Sequence, residues 1–244
     1  MQFTYQCYRD LIMQLQQHNY KSVSYHNWQT EPRCVILRHD IDMDIEKALR
    51  FAELEQEMGV TSTYFVLVTG EFYNIFARKN QEMLKEILAL GHDIGLHYDE
   101  RNYPETSGDF AKITERILRE AKLLEEVIEM PVTTVSMHWP SQGILESDLR
   151  IPGMINSYGK EYFKGFKYLS DSRHHWREPV QQIIESEQYE KLHILTHAIW
   201  YHEKDKNIHD AIEEYVNAAN LERYDILDRN MLNLPEAMKR EEVR

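Results

Sequence analysis

Short apolar runs alternate with longer segments of helical periodicity along most of the chain. Runs rich in β-branched and aromatic residues lie at 34–38, 62–68, 93–98, 133–138, 166–171 and 192–197. In residues 44–59, 81–91 and 110–129, between these runs, apolar residues recur every three or four positions, which is typical of amphipathic helices. Strands that alternate with helices predict βα units around a parallel sheet.

The two ends of the chain predict helices outside this alternation. Apolar residues recur at helical spacing through 3–18, so we expect a helix that covers the domain. The charged tail 207–244 also has a helical pattern. Residues 139–165 are rich in proline and glycine and predict a long active-site loop. A chain of 244 residues is expected to form one domain, spanning 1–244.

The charge and the cysteine count narrow the class of protein. A net charge of −13 disfavours nucleic acid and anionic lipid as partners. No apolar run approaches the ~20 residues of a membrane span, and residues 1–20 lack the uninterrupted apolar segment of a signal peptide. Cys7 and Cys34 are too few for a disulfide framework. These features predict a cytoplasmic protein with no membrane span.

Titratable and metal-binding residues collect where the predicted strands end. The segments are RHDID, LHYDE, MHWPS, SDSRHHW and THAIWYH. Because the carboxyl ends of parallel strands meet at one edge, these segments are expected to converge. Asp40 and Asp42 lie two residues apart, so an extended chain points both carboxylates to the same side. The alternative is that one of them caps the next helix, but Asp44 is better placed for that role.

Three histidines end predicted strands, where a neutral imidazole is well placed to bind a metal. They are His97, His138 and His197. For any one of them, an ordinary buried histidine is the alternative. Asp99 is placed to orient the His97 imidazole or to bind metal itself. Trp139 is able to stack on a sugar ring, with simple packing as the alternative.

In this order the segments resemble the motifs of the NodB-type polysaccharide deacetylases, which are carbohydrate esterase family 4-like proteins. The likeness is to a divergent cytoplasmic branch whose first motif reads RHD-x-D and which is associated with surface-polysaccharide biosynthesis. It covers residues 34–202 and rests on Asp40 with Asp42, GHDIGLH with His97, MHWPS, SDSRHHW with Asp171 and Trp176, and LTH with His197.

The resemblance implies both a fold and a reaction. The implied fold is a distorted, incomplete (β/α) barrel, TIM-like with about seven strands and with extra N- and C-terminal helices. The implied activity is metal-dependent hydrolysis of the carbon–nitrogen bond of an N-acetyl group on a sugar or glycan intermediate, nucleotide- or lipid-linked. The resemblance also implies a divalent metal, usually zinc. The alternatives are hydrolysis of another amide bond on a small molecule and an inactive glycan- or nucleotide-sugar-binding relative.

The resemblance also implies roles for individual residues. Asp40 is expected to be the general base and His197 the general acid, with Asp42 and His97 as metal ligands. The family's two aspartates are adjacent, whereas Ile41 separates them here, which leaves an exchange of their roles open.

One ligand of the family pattern is missing from this chain. Arg101 stands where the family has a second metal-binding histidine, and a guanidinium does not bind a metal. A catalytic metal site normally has three protein ligands. His138 is the predicted third ligand, with Asp99 and His202 as alternatives.

Further residues are expected to bind substrate or to orient the catalytic groups. Asp171 is predicted to hold the His197 imidazole protonated and oriented. The family arginine of the third motif is absent from MHWPS, so Arg150 and Arg173 are its candidate replacements. Trp176, like Trp139, is a candidate substrate contact.

Overall fold

A computed structural model describes residues 1–243 as helices around one parallel sheet of eight strands. The strands are β1 (Lys21–Val23), β2 (Cys34–Ile41), β3 (Thr63–Leu67), β4 (Asp93–Tyr98), β5 (Thr134–Met137), β6 (Ile155–Asn156), β7 (Lys167–Ser170) and β8 (Lys191–Thr196). The α-helices are α1 (Tyr5–Gln17), α2 (Ile45–Glu57), α3 (Arg78–Ala89), α4 (Phe110–Ile128), α5 (Gln142–Ser147), α6 (Lys160–Gly165), α7 (Val180–Ser186), α8 (Ile208–Asn230) and α9 (Leu234–Ala237).

The strands follow one another around an incomplete ring. Their order in the sheet is β6-β5-β4-β3-β2-β8-β7, and every pair is parallel. β8 returns beside β2, so the ring has one opening, between β6 and β7, which do not pair within residues 1–243. β1 lies off this path and pairs with the first half of β2. The predicted incomplete barrel of about seven strands is confirmed.

Each strand divides its side chains between the barrel interior and the surrounding helices. On β2, Cys34 and Ile36 join a small interior cluster with Phe65, while Val35 and Leu37 join the large core beneath the helices. This division follows from the two-residue period of an extended chain. Residues in phase with Ile36 therefore point into the barrel, and those near the carboxyl end of β2 point into its mouth.

Helices cover the outer face of the sheet as the periodicity predicts. α1 buries Tyr8 and Leu11 against the large core, which confirms the predicted covering helix. Asp44 caps α2 by accepting a hydrogen bond from the backbone N–H of Lys47, as expected. The charged tail forms α8 and α9. Within residues 1–243, no helix is long and apolar enough to cross a membrane.

The prediction of one long loop over residues 139–165 is wrong. This segment contains α5, β6 and α6, and β6 adds to the sheet by pairing Ile155 with Thr134. Ser141 caps α5 through its side chain, and Gly159 precedes α6. The prolines and glycines therefore mark the ends of short elements, because they interrupt regular structure without preventing it nearby.

Candidate functional site

Three potential metal ligands meet at the mouth of the barrel. Nε2 of His97 lies 3.2 Å from Oδ1 of Asp42, and Nδ1 of His138 lies 3.4 Å from the same oxygen. The two imidazole nitrogens are 3.1 Å apart. One ligand atom from each of the three side chains thus lies within 4.8 Å of the others. His138, the predicted substitute for the family histidine, is in this cluster.

The strands explain why these three side chains converge. His97 is the fifth residue of β4, in phase with Gly95, where a Cβ atom would lie only 2.5 Å from the ring of Phe65. His138 directly follows β5, and its backbone N–H bonds to the carbonyl of Tyr98. Parallel strands end at the same edge, so neighbouring strands place both imidazoles side by side.

Hydrogen bonds orient the members of the cluster. Nδ1 of His97 donates to the carbonyl oxygen of Ser136 at 3.2 Å, which leaves Nε2 facing Asp42. Burial would raise the pKa of Asp42, but His138 and His97 beside it outweigh this effect and hold that pKa well below its usual value. The carboxylate is therefore ionised at neutral pH.

Asp40 lies beside this cluster and forms a buried ion pair. Arg38 donates from Nε to Oδ1 at 2.8 Å and from Nη2 to Oδ2 at 2.7 Å, and both side chains are almost fully buried. Burial would raise the pKa of Asp40, but Arg38 outweighs this effect and lowers it. Oδ2 of Asp40 is also 3.5 Å from Nε2 of His97.

Sequence reasoning missed Arg38. Arg38, in the first motif itself, is the arginine that pairs with Asp40, while Arg150 and Arg173 stay predictions as replacements for the family arginine. The signal was present, because Arg38 precedes Asp40 by two residues and therefore shares its face of the strand. Ser136 and the rings that flank the guanidinium complete its surroundings.

His197 lies near the second carboxylate oxygen of Asp42 and is hydrogen-bonded to Asp171. Its Nδ1 lies 2.7 Å from Oδ1 of Asp171, a fully buried carboxylate that also accepts the backbone N–H of His197. Burial would lower the pKa of His197, but the hydrogen bond and the charge of Asp171 raise it to about 9. Nε2 of His197 is 3.7 Å from Oδ2 of Asp42.

The two alternative third ligands lie outside the cluster. Asp99 is occupied by Arg101, which donates to both of its oxygens at 2.6–3.1 Å. His202 is buried near Lys47, with Nδ1 3.1 Å from the ammonium nitrogen, and its backbone bonds to Phe3 at the start of the chain. Of the three candidates, only His138 is within reach of both Asp42 and His97.

The candidate substrate contacts differ in exposure. Trp139 is 56% exposed and lies beside the His138 ring, with the centroids 6.3 Å apart. Arg173 is exposed, and its guanidinium carbon lies 5.3 Å from the centroid of Trp139. Trp176 is half-buried and packs against the large core. Trp139 and Arg173 therefore present a surface to solvent at the mouth.

Among the comparisons with known proteins, only the comparison of structures finds similar proteins. No protein-family model matches the chain, and no curated protein matches it either. The catalytic domain of peptidoglycan N-acetylglucosamine deacetylase from Eubacterium rectale is 13% identical, over 82% of this chain and 88% of that one, with a TM-score of 0.48. The chitin deacetylase from the fungal pathogen Colletotrichum lindemuthianum is 15% identical over 78% and 84%, also with a TM-score of 0.48.

A CE4 family pseudoenzyme from Bacillus anthracis is 13% identical to the chain, with a TM-score of 0.43. The match covers 78% of this chain and 60% of the pseudoenzyme, so the chain spans less than two thirds of that protein's length. The structure is thus similar, at low sequence identity, to polysaccharide deacetylases of the CE4 family, pseudoenzymes among them.

Proposed function

We propose that this chain is a metal-dependent hydrolase that removes the N-acetyl group from a sugar or glycan intermediate. The observation that carries the proposal is the convergence of ligand atoms of Asp42, His97 and His138 within 4.8 Å. Asp40 lies 3.5 Å from His97 of this cluster, and His197 lies 3.7 Å from Asp42. A metal site, a candidate base and a candidate acid thus share one mouth. This is the set of groups that amide hydrolysis requires.

The three clustered side chains fit a divalent cation. Oδ1 of Asp42 is buried and makes no well-aligned hydrogen bond, although two imidazole nitrogens lie within 3.4 Å of it. A buried oxygen without a hydrogen bond is costly unless another group satisfies it. One carboxylate and two imidazoles form a common ligand set for catalytic zinc, which leaves a position open for reactants. When bound, the cation would supply Lewis-acid activation of water and of the acyl carbonyl.

Asp40 is our candidate for the general base. Arg38 keeps its carboxylate ionised and fixed in orientation, and each oxygen retains a second lone pair with which to accept a proton from water. The low pKa makes Asp40 a weak base, so its role depends on position more than on basicity. Since Asp42 and not Asp40 joins both imidazoles, this geometry supports the unexchanged roles.

His197 is our candidate for the general acid. A pKa of about 9 keeps the imidazole protonated at neutral pH, and the bond from Nδ1 to Asp171 directs Nε2 toward the mouth. An amine leaves an amide readily only when it is protonated, and Nε2 carries the proton to be given. Asp171 acts through His197 and is a positioning residue.

Metal content and acetate release test the proposal together. We expect the purified protein to retain or take up zinc, cobalt or nickel, and to release acetate from one or more N-acetylated sugars or nucleotide sugars. The variant Asp40→Asn is expected to retain the metal and lose acetate release. Near-normal turnover by that variant would exclude Asp40 as the base.

Two rival functions give different results in the same experiment. Metal binding with hydrolysis of small amides but of no N-acetyl sugar would indicate the other amide hydrolase. A protein that binds no metal and stays inactive after each metal is added would be an inactive binding relative. Arg101, in place of the family histidine, is the feature that favours the latter.

A further inference from the structure

Two arginines and a tryptophan form an exposed surface at the edge of the mouth, here called the Arg–Trp ledge (Arg101, Trp139 and Arg173). The guanidinium carbons of Arg101 and Arg173 each lie 5.3 Å from the centroid of the Trp139 ring. All three residues are exposed. The proposed metal and proton-transfer roles use none of them.

The ledge spans the opening of the ring. Trp139 follows β5 and Arg173 follows β7, on the two sides of the gap that β6 and β7 leave in the sheet. Trp139 directly follows His138 of the metal cluster, and Arg173 lies two residues after Asp171. A molecule whose acyl group lay at the metal cluster would therefore have its adjoining groups close to the ledge.

Two of the three ledge residues have a left-handed backbone conformation. Trp139 has φ of 52° and Arg173 has φ of 61°, and His174 after it has φ of 57°. The left-handed region is unfavourable for a bulky side chain, and residues that adopt it concentrate at ligand-binding and catalytic sites. Neither Trp139 nor Arg173 gains burial in return, since both side chains remain exposed. Packing therefore does not account for their conformation.

The charges of the ledge suit an anion. Arg101 is neutralised by Asp99, but in residues 1–243 no carboxylate lies within ion-pair distance of Arg173. Arg173 therefore keeps an unneutralised positive charge at the mouth, on a chain whose net charge is −13. One guanidinium group can donate two parallel hydrogen bonds to the oxygens of a phosphate, and the face of an indole ring stacks on sugar or base rings.

We infer that the Arg–Trp ledge binds a phosphate-bearing part of the substrate, with Arg173 on the phosphate and Trp139 against an adjoining ring. The inference rests on the proposed function for the position of the sugar. It narrows the substrate class to N-acetyl sugars that carry a phosphate or diphosphate near the acylated ring, and it disfavours neutral polymers.

Binding without turnover tests the inference. Titration calorimetry on chelator-treated protein would compare N-acetylglucosamine, N-acetylglucosamine 1-phosphate, UDP-N-acetylglucosamine and inorganic phosphate. We expect the phosphorylated sugars to bind at least about 10-fold more tightly than the neutral sugar, which is the expected contribution of one charge-assisted pair. UDP-N-acetylglucosamine binding more tightly than the monophosphate in the unaltered protein, but not in Trp139→Ala, would indicate that Trp139 contacts the base.

A matched pair of variants separates the ledge from general charge. Arg173→Gln is expected to abolish the preference for phosphorylated sugars, while Arg177→Gln, an exposed arginine four residues later with no ion pair among the described residues, is expected to retain it. Equal affinity for neutral and phosphorylated sugars, or equal losses in the two variants, would overturn the inference. Thermal unfolding of each variant checks that both fold.

The result is distinguishable from failure of the proposed function. If phosphosugars bind in a way that depends on Arg173 but no acetate is released with any added metal, the phosphate-binding role of the ledge is supported and the hydrolase function is rejected. Acetate release from neutral and phosphorylated sugars at the same rate and affinity would retain the hydrolase and reject the ledge.

Discussion

Arg38 holds Asp40 by two parallel hydrogen bonds of 2.8 and 2.7 Å from a position two residues earlier on the same strand. Both side chains point into the barrel, where water has little access. A planar guanidinium fixes a carboxylate in one orientation, which an ammonium group does not. The first motif therefore contains both the candidate base and the group that orients it.

Substitution of Arg38 is expected to damage stability and activity together. Arg38→Gln leaves the Asp40 carboxylate buried without its charge partner, and removal of one member of a buried pair costs about 3–5 kcal/mol. We expect that loss in the free energy of unfolding by urea, with acetate release reduced at least about 100-fold. Arg177→Gln, an exposed arginine with no proposed role, is the control and should change neither quantity. A stable, active Arg38→Gln variant would contradict this role.

Metal affinity should depend on His138. The variant His138→Gln removes one of three ligands, and we expect zinc affinity to fall at least about 100-fold, more than the 10–100-fold typical of an outer-shell change. Competition with a chromogenic chelator measures the affinity. His175→Gln, an exposed histidine, should bind zinc as the unaltered protein does. Unchanged zinc affinity in His138→Gln would reject His138 as a ligand.

The pair of His197 and Asp171 should make stability fall between neutral and alkaline pH. The folded protein raises the pKa of His197 from 6.5 to about 9, so it binds the proton more tightly than the unfolded chain does. The resulting stabilisation is complete below pH 6.5 and is lost as the pH rises to about 9. Urea unfolding of metal-free protein across this range measures it.

The variant Asp171→Asn removes the charge that raises this pKa. We expect a lower free energy of unfolding at pH 6.5 and a flatter dependence on pH up to about 9. Titration of the His197 ring by NMR should show its pKa shifted downward. An unaltered slope between pH 6.5 and 9 would mean that other groups cause the pH dependence.

Substitution of Glu120, which lies away from the candidate site, is expected to stabilise the protein. Its carboxylate is buried in α4, neither oxygen makes a well-aligned hydrogen bond although the Tyr103 hydroxyl lies beside it, and burial raises its pKa from 4.5 to about 7. The folded state therefore favours the protonated form, and the associated stability is present below pH 4.5 and lost as the pH rises through 7. At pH 8, Glu120→Gln should raise the free energy of unfolding by roughly 1–3 kcal/mol.

The gain from Glu120→Gln should shrink as the pH falls toward 4.5, because the natural carboxyl is then protonated too. Glu115→Gln on the exposed side of the same helix is the control and should have little effect. Thermal unfolding at several pH values measures both variants. A gain that does not depend on pH would exclude the burial of charge as its cause.

The periodicity of the chain was sufficient to predict the class of fold. Apolar alternation placed the long strands to within a few residues, and helical spacing placed α1, α2 and α4, because burial of one face imposes these periods. Strand ends also predicted which edge carries Asp42, His97 and His138. β6 and the short helices around it escaped prediction, since two to six residues contain too little of any period.

The same alternation, applied one step further, would have placed Arg38 beside Asp40, because both lie on one face of β2. Tertiary structure alone decided between His138 and His202 as neighbours of Asp42, and it alone brought Arg173 across the opening to Trp139. Local periodicity determines which face of an element a side chain occupies. Which distant side chain it meets there depends on the order of strands around the ring, and that order is set by packing of the whole sheet.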